Sequence, residues 1–420
     1  MMNRFFHRAI DLTPLFLWVT AAAYLTLQPT ATVTYGKSLA FALSGYFTIV
    51  LVVAALAGWR ERIPAPGAAV LITLAAWSLW ATASWSWSVH PAYTATELRR
   101  EVLFSLMTMA AFYLAVFSAT AWRALVTTLF IGFAVIVGVA IALNVIPNEA
   151  DVSLWHAGFG PFSTYLVLMA PLFLTLLAPH PGGFGGGRVA VLIAVLLLLL
   201  LIGGARIAEN RMVWIALVAE FGVTALLAAV RWRHAVFRAP MRWLIGLIVV
   251  LVALGALFGE TVREKARMHF PPQTSIAQTF ADDPRLPLWE ETLERIRERP
   301  LTGYGFGRSI LAQELQSDMH DPLLSHAHNI FISQWLQTGA VGLTTLVALL
   351  FALGWNYARF LRSADDTLAV LGLIGLALLV GFVVKNLTDD FLARSNGKEF
   401  WALCAALLSL GLRRERGDGD

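Results

Sequence analysis

Two histidines, His326 and His328, stand in a Ser-His-Ala-His-Asn run that ends at Asn329 and is followed by Gly339 and Gly342. The free pKa of a histidine is about 6.5, so its neutral ring can remove a proton from a hydroxyl group near neutral pH. If this segment is helical, the two rings point to different sides and do not chelate one metal ion together. The run therefore predicts a general base. The alternative interpretation is a histidine at the membrane interface that only caps a helix.

Three arginines form the second group of candidates. Arg206 and Arg211 flank Glu209 and Asn210 in a short polar loop between two strongly apolar segments, and Arg285 follows later in the chain. A charged side chain at a membrane edge costs free energy unless it is hydrated or paired, which favours a functional role. Arginine also grips two phosphate oxygens at once. These residues predict phosphate binding, but snorkelling to lipid headgroups or pairing with Glu209 would also explain the first two.

A third group contains the acidic residues Asp389 and Asp390, in a polar stretch that begins at Asn386. A carboxylate here would orient His328 or bind a sugar, and a simple hydrated turn is the alternative. The chain has one cysteine, Cys404, and no His-Glu-x-x-His sequence. The residues thus give no sign of a zinc site, and we expect chemistry without a metal or another cofactor.

These residues are set in a chain with the composition of a membrane protein. Of its 420 residues 58% are hydrophobic and 14% charged, whereas soluble domains have about 25% charged residues. A membrane-spanning helix needs about 20 apolar residues. About twelve runs qualify, so we predict an all-α polytopic membrane protein. The predicted spans are 10–28, 38–58, 67–86, 102–118, 124–146, 159–178, 189–205, 212–230, 243–258, 337–357, 367–384 and 399–412.

One long polar loop interrupts the spans. We divide the chain into spans 1–9 (residues 1–258), a large loop that carries the candidate histidines (259–336), and spans 10–12 with a tail (337–420). Within the loop, Pro287 to Arg299 predicts an amphipathic helix that Pro300 ends. Trp289, Leu293 and Ile296 would share its apolar face, which is expected to lie on the protein or at the membrane surface.

The distribution of Arg and Lys predicts the orientation. Most lie in loops that share one side, which is therefore the cytoplasmic side, and the large loop then faces the periplasm. The short outer loops carry fewer basic residues, and these run against the positive-inside trend: Lys37, Arg99, Arg100, Arg206, Arg211, Lys385, Arg394 and Lys398.

The spacing of the histidine run resembles that of the bacterial O-antigen ligases, within the wider group of O-antigen ligase and polymerase membrane proteins. In those ligases a His is followed by Asn, Ser or Gln, then nine residues, Gly, two residues, and Gly, Thr or Tyr. His328, Asn329, Gly339 and Gly342 fit this pattern throughout.

Two further motifs extend the resemblance over about residues 205 to 405. Arg285 and Trp289, four positions apart, lead into the Pro-Leu-x-Gly-x-Gly sequence of residues 300–305, as in the wider group. Arg211 fits an Arg-x-x-x-Leu motif of the ligases, except that Ile215 replaces the Leu, which leaves the choice between Arg211 and Arg206 open.

The resemblance implies a glycosyltransferase with a GT-C-like fold. It would move an O-antigen glycan from undecaprenyl pyrophosphate to a sugar hydroxyl of lipid A–core, at the periplasmic face of the bacterial inner membrane. The reaction would invert the anomeric carbon without metal. His328 would be the base, Arg211, Arg285 and Arg206 would bind pyrophosphate, and the supporting residues would be Asn329, His326, Asp389 and Asp390.

Other functions remain open at this point. A polymerase of the same group would use a glycan as acceptor, and an oligosaccharyltransferase would use a protein. A transporter or lipid flippase is disfavoured, because the chain shows no internal repeat and no acidic residue at the centre of a predicted span except Glu220. The expected partners are the lipid-linked donor, the lipid acceptor and membrane lipids, with no nucleic acid, and we expect a monomer.

Overall fold

The structure is a computed structural model that describes residues 2–30, 33–57, 64–145, 158–177, 187–233, 255–256, 258–260, 285–321 and 324–417. All regular secondary structure in these ranges is helical. The helices are α1 (Met2–Leu27), α2 (Thr34–Leu56), α3 (Ala68–Ala83), α4 (Pro91–Glu97), α5 (Phe104–Ala115), α6 (Ala119–Val145), α7 (Phe159–Met169), α8 (Leu174–Leu177), α9 (Arg188–Ile207), α10 (Arg211–Arg231), α11 (Arg285–Glu298), α12 (Ala312–Met319), α13 (Ile330–Leu361), α14 (Asp366–Lys385) and α15 (Arg394–Arg416). Turns of 3₁₀ helix follow α3 (Ser84–Trp87) and α7 (Ala170–Phe173), and a π-helical turn, Leu98–Leu103, joins α4 to α5.

The chain is a multi-pass membrane protein. In the described part, eight segments are long and apolar enough to cross a bilayer: Thr34–Leu56, Ala68–Trp87, Ala119–Asn144, Phe159–Leu176, Arg188–Ile207, Arg211–Arg231, Ile330–Leu361 and Asp366–Lys385. Each overlaps a predicted span. The predicted spans 10–28, 102–118 and 399–412 correspond to α1, α5 and α15, which are helices outside this set of eight. The predicted span 243–258 lies almost entirely outside the described residues, so the count of twelve remains a prediction.

Helix α15 forms the centre of the bundle. Its residues 400–412 are all buried, and it packs against α5, α7, α13 and α14. Helices α2 and α9 expose apolar side chains at the periphery, as expected for membrane-spanning helices whose outer faces contact lipid. The first turns of α10, α13 and α15 and the last turns of α1, α9 and α14 lie at one end of the bundle, the site end.

Helices α11 and α12 cover the site end with a small core of their own. The described residues that build it include Leu288, Ile296, Tyr304, Leu315 and Leu336. The predicted amphipathic helix is present, although it begins at Arg285 and not at Pro287. Its buried face is rotated relative to the prediction: Leu288, Thr292 and Ile296 are buried, whereas Trp289 and Leu293 flank them. Through this buried face the helix packs on the protein.

A kink in α13 determines how this cover is attached to the bundle. Gly339 has φ 68° and ψ −175°, which breaks the helix locally. The loop that follows α11 fits into the kink: the amide of Gly305 donates to the carbonyl of Gln337 (2.9 Å), and the amide of Ala340 donates to the carbonyl of Pro300 (2.8 Å). The indole of Trp80 donates to the carbonyl of Thr338 at 2.8 Å, so α3 supports the same point.

We expect Gly339→Ala to destabilise the folded protein. A Cβ at Gly339 would lie 2.1 Å from the backbone carbonyl of Leu301, and a non-glycine residue at this φ adds strain of about 1–3 kcal/mol. The control is Gly354→Ala in the same helix, where a Cβ meets only a side-chain atom of Leu379 at 3.5 Å. Thermal unfolding in detergent should show a lower Tm for Gly339→Ala only, and equal melting of the two variants would contradict this account of the kink.

Candidate functional site

His328 occupies a turn, not a helix, between α12 and α13. Its φ of 47° is left-handed, a conformation that is uncommon for residues other than glycine and that stores strain. The next residue, Asn329, caps α13: its Oδ1 accepts from the amides of Phe331 (2.9 Å) and Ile332 (3.2 Å). The capping role that the sequence left open for a histidine therefore belongs to Asn329, and the imidazole of His328 is free of that role.

The turn between α14 and α15 is fastened to the beginning of α13. Nδ2 of Asn329 donates to the carbonyl of Leu387 (2.9 Å), and the amide of Ile330 donates to the carbonyl of Asn386 (3.0 Å). Asp389 and Asp390 in this turn are 7% and 5% exposed. The alternative of a merely hydrated turn is therefore wrong, since both carboxyl groups lie in the interior at the site end.

Asp389 is the acidic residue that faces His328. Its Oδ1 lies 3.9 Å from Nδ1 of His328, which is longer than a hydrogen bond but within the distance at which a protonated imidazole would form an ion pair. Its Oδ2 accepts from Nζ of the fully buried Lys385 at 2.5 Å, and Nδ2 of Asn210 lies 3.5 Å away. Within the described part of the chain, Nδ1 of His328 is buried and has no hydrogen-bond partner.

The charge of Asp389 is maintained by its neighbours. Burial alone would raise the pKa of this carboxyl group, but the charge of Lys385, the contact with His328 and the charge of Arg285 together hold the pKa below its usual range. Asp389 is thus a carboxylate at neutral pH. Arg285 contributes to this effect, which places its charge near the same site.

His326 packs against His328 without sharing its environment. The ring centroids are 3.9 Å apart, and the planes are inclined by 31°. Burial, followed by the charge of Arg308, lowers the pKa of His326 to about 2, so this ring is neutral and a very weak base. The expectation that the two rings point to different sides applied to a helical segment, and this segment is not helical. The rings instead pack against each other at a tilt, and His326 forms a wall behind His328.

Asp390 differs from Asp389 in its contacts. Its backbone carbonyl accepts from Nη1 of Arg308 at 2.9 Å, and burial raises the pKa of its carboxyl group although the charge of Arg308 opposes this. The pKa values of the two neighbouring aspartates are therefore shifted in opposite directions. Asp389 lies beside the imidazole as a carboxylate, and Asp390 lines a narrow space together with Glu97 of α4 and Glu101 of the π-helical turn.

The three arginines that the sequence singled out lie on elements of the site end. Arg211 is the first residue of α10, directly after Asn210, and its Nη1 is buried. Arg285 is the first residue of α11, and its Nε is buried. Arg206, in the last turn of α9, forms an ion pair with Glu260 at 4.0 Å. The sequence suggested Glu209 as its partner, and this ion pair involves a different glutamate. Ile215, which departs from the motif, is 37% exposed and does not line the site.

Two residues of the site were missed by sequence reasoning. Lys385 was counted only as a basic residue of an outer loop, and Arg308 was not considered. The signal for Lys385 was its spacing: it stands four residues before Asp389 at the end of an apolar run, and a lysine there needs a partner. Arg308 follows the glycine loop, which is residues 300–307, and it belongs to none of the motifs considered above.

The described residues contain no group of three or more His, Cys, Asp or Glu side chains that could hold a metal ion. The chemistry of the donor set is that of an imidazole supported by a carboxylate, with cations at the start of α10 and α11. Such a site can remove a proton from a hydroxyl group and stabilise an anionic leaving group.

Comparison with known proteins finds one family model that matches part of the chain. Residues 192–347, which run from α9 to α13, match the model of the O-antigen ligase family. This segment contains Arg206, Arg211, Arg285, the histidines and both motif glycines, whereas Lys385 and Asp389 lie beyond it. The chain is also similar to the general O-oligosaccharyltransferase of Acinetobacter baylyi, with 25% identity over 160 residues, which is 34% of this chain and 26% of that protein. The chain thus matches about a quarter of the length of this curated relative. The matched family is described by O-antigen ligation, and the matched relative by the transfer of oligosaccharides.

We expect Lys385→Met to destabilise the protein strongly, by about 3–5 kcal/mol, because it leaves the buried carboxylate of Asp389 without its counter-charge. The double variant Lys385→Met/Asp389→Asn should recover much of the loss. Thermal unfolding in detergent gives the comparison, and additive effects of the two substitutions would contradict the pairing.

The pH dependence provides a second measurement. The pKa of Asp389 is lower in the folded protein than the unfolded value of about 3.9, so the stabilisation is complete above about pH 5 and is lost as the pH falls through the folded-state pKa. The Tm of the wild type should therefore decrease at acidic pH more than that of the double variant.

Proposed function

We propose that the chain is an O-antigen ligase that transfers the glycan of undecaprenyl-pyrophosphate-linked O-antigen to a sugar hydroxyl of lipid A–core. The reaction would take place at the periplasmic face of the bacterial inner membrane. The observation that supports this most directly is the geometry of His328: a strained, partly exposed imidazole backed by a buried carboxylate. We also propose that the complete bundle has about twelve spans in a GT-C-like arrangement and acts as a monomer.

His328 would act as the general base. Asp389, 3.9 Å from Nδ1, favours the tautomer with a proton on Nδ1, which leaves Nε2 to accept the proton of the acceptor hydroxyl. As the oxygen attacks the anomeric carbon, the bond from that carbon to the pyrophosphate breaks from the opposite face, so the configuration inverts. The imidazolium that forms is stabilised by the charge of Asp389. His326, as a neutral wall, would keep the ring of His328 in place.

The leaving group requires positive charge. The lipid pyrophosphate gains negative charge as the bond breaks, and Arg211 and Arg285, with Arg206 nearby on α9, supply permanent cations at this end of the bundle. Bidentate contacts with phosphate oxygens would neutralise that charge without a metal ion, and we propose that no cofactor takes part. Both substrates carry lipid chains, so the site would open towards the bilayer beneath α11.

The role of His328 is tested by His328→Asn, because asparagine tolerates the left-handed φ and lacks the base. The transfer rate in a reconstituted assay should decrease by about 10²–10⁴-fold. His320→Asn is the matched control, since His320 also has a left-handed φ (51°) but is exposed and outside the site. Both variants should fold. A rate near that of the wild type for His328→Asn would exclude the general-base role.

A second candidate function follows from the relative. The matched protein of Acinetobacter baylyi is a general O-oligosaccharyltransferase, and the same base would activate a protein hydroxyl equally well. An O-antigen polymerase, with a glycan as acceptor, is a third possibility within the same chemistry. The three differ in acceptor and not in the groups around His328.

Deletion of the gene in its host separates these functions. Gels of lipopolysaccharide and of undecaprenyl-linked glycan should show bare lipid A–core, together with long O-antigen that remains on the carrier lipid. Core that carries a single repeat unit, with no long chains anywhere, would establish a polymerase. Unchanged lipopolysaccharide with loss of protein glycosylation would establish an oligosaccharyltransferase. Complementation with the wild type and with His328→Asn links the result to the site.

A further inference from the structure

Four of the basic residues that run against the positive-inside trend lie apart from His328 and meet in a second cavity. Lys37 of α2, Arg100 of the π-helical turn, and Arg394 and Lys398 of α15 line a space of about 420 Å³ at the site end. We call it the basic cavity. The function proposed above makes no use of these residues, and charges at this membrane edge are costly without a role.

The basic cavity has a defined framework. The carboxylate of Glu101, 6% exposed, accepts from the backbone amide of Arg394 at 2.7 Å and lies 3.4 Å from Nζ of Lys398. Nζ of Lys398 also donates to the carbonyl of Arg394 (2.9 Å), and Arg394 has a left-handed φ of 58°. Glu101 lies in the π-helical turn, a distortion that occurs frequently at functional sites. Lys398 is thus fixed by a buried carboxylate and the backbone of Arg394 is fixed by the same group, whereas the side chains of Arg100 and Arg394 are exposed at the opening of the cavity.

The charges of the basic cavity favour an anion. Four cationic and two acidic side chains line it, and the second acidic residue, Glu97, lies 3.8 Å from Arg100. The carboxylate of Glu399, which is buried close by, accepts from Asn396 at 3.0 Å. The lining therefore has an excess of positive charge, which suits a phosphate group. Gln28 and Ser38 on the same wall provide the neutral polar groups that bind sugar hydroxyls.

The basic cavity lies between an exposed apolar face of α2 and the candidate active site. Lys37 and Ser38 of α2 line it, and the neighbouring Tyr35 and Leu39 are 93% and 61% exposed, which is typical of a helix face that contacts acyl chains. On the other side, Glu97 and Glu101 also line a narrow space of about 30 Å³ together with Arg308 and Asp390. Asp390 is the neighbour of Asp389, so one polar wall separates the basic cavity from the turn that supports His328.

We propose that the basic cavity binds the phosphorylated saccharide headgroup of a membrane lipid, and that this lipid is the acceptor of the transfer. The second half rests on the proposed function. The phosphate would contact Arg100, Arg394 and Lys398, the acyl chains would follow α2, and the remaining sugars would extend over the polar wall towards His328. The acceptor and the donor pyrophosphate would then bind to separate sets of cations.

The test uses the double variant Arg100→Gln/Arg394→Asn, since asparagine tolerates the left-handed φ of Arg394 and the amide contact with Glu101 is retained. The matched control is Arg99→Gln/Arg297→Gln, which removes the same charge from two exposed residues outside the cavity. Transfer is measured with intact lipid A–core and with phosphatase-treated lipid A–core as acceptors. Equal Tm values of both variants in detergent establish that they are folded.

With the intact acceptor, the KM of the double variant should increase about ten- to a hundredfold, because charge-assisted contacts with phosphate are lost. The control, the KM for the donor and the KM for the dephosphorylated acceptor should stay close to their wild-type values. The proposal is overturned if the double variant and the control behave alike, if KM increases equally for both acceptors, or if the KM for the donor increases instead.

A binding measurement separates this proposal from the proposed function. Native mass spectrometry in the absence of donor should show lipid A bound to the wild type and to His328→Asn, and lost from the double variant only. If lipid A binds in this pattern but no glycan is transferred, the ligase function is refuted and the lipid-binding role of the basic cavity is retained. If the protein transfers the glycan but lipid A binds equally to all variants, the lipid-binding role of the basic cavity is refuted and the ligase function is retained. Competition by inorganic phosphate at the concentration of lipid A would show a site for the free ion and overturn the assignment to a lipid.

Discussion

The buried ion pair of Lys385 and Asp389 is the interaction on which the site depends. It joins the last residue of α14 to the turn that follows, where neither charge has access to bulk water. Such a pair contributes little net stability compared with an apolar contact, but breaking it is costly, so it fixes one arrangement of the turn. That arrangement places a carboxylate beside the imidazole of His328. The hydrogen bonds of Asn329 and Ile330 to the same turn then tie the histidine segment to it. Electrostatic specificity, more than hydrophobic packing, thus defines the site.

The motif around His328 combines chemistry with construction. The histidine is the candidate base, whereas Asn329 caps α13 and Gly339 makes the kink that receives the glycine loop. Gly342 lies where a Cβ would meet the side chain of Thr338 at 1.9 Å. The spacing of the motif therefore combines two roles. One residue is the candidate reactive group, and the others shape the beginning and the kink of the helix that positions it. The tryptophans near the end of α3 belong to the same construction, because Trp80 and Trp87 donate to carbonyls at the kink and in the loop.

Sequence reasoning found the elements with strong local signals and missed those defined by distant partners. Hydropathy located the eight long spans, because an apolar run of that length has few alternatives. It also located α11, but the buried face of this helix is rotated relative to the predicted face. Leu288 and Trp289 are both apolar, and only the packing against α12 determines that Leu288 is the buried residue. The left-handed turn at His328, which brings the two imidazoles together, is a tertiary result and has no local signature. For Lys385 the spacing to Asp389 was a local signal, but the complete burial that makes the pair important is produced by helices from distant parts of the chain. The choice between Asp389 and Asp390, which the sequence left open, is likewise made by the turn.

The central position of α15 has a consequence for biosynthesis. Helices α5, α7, α13 and α14 pack around a segment that the ribosome makes after all of them, so these helices must enter the membrane before their common partner exists. Domains generally fold from the N-terminal end during synthesis, but here the interior is filled late. Asp389 lies in the turn that leads into α15, and the basic cavity takes two of its cations from the first turns of that helix. The candidate site would therefore be complete only after α15 has entered the bundle, and chains in which α15 is not yet inserted would lack both the support of His328 and half of the basic cavity.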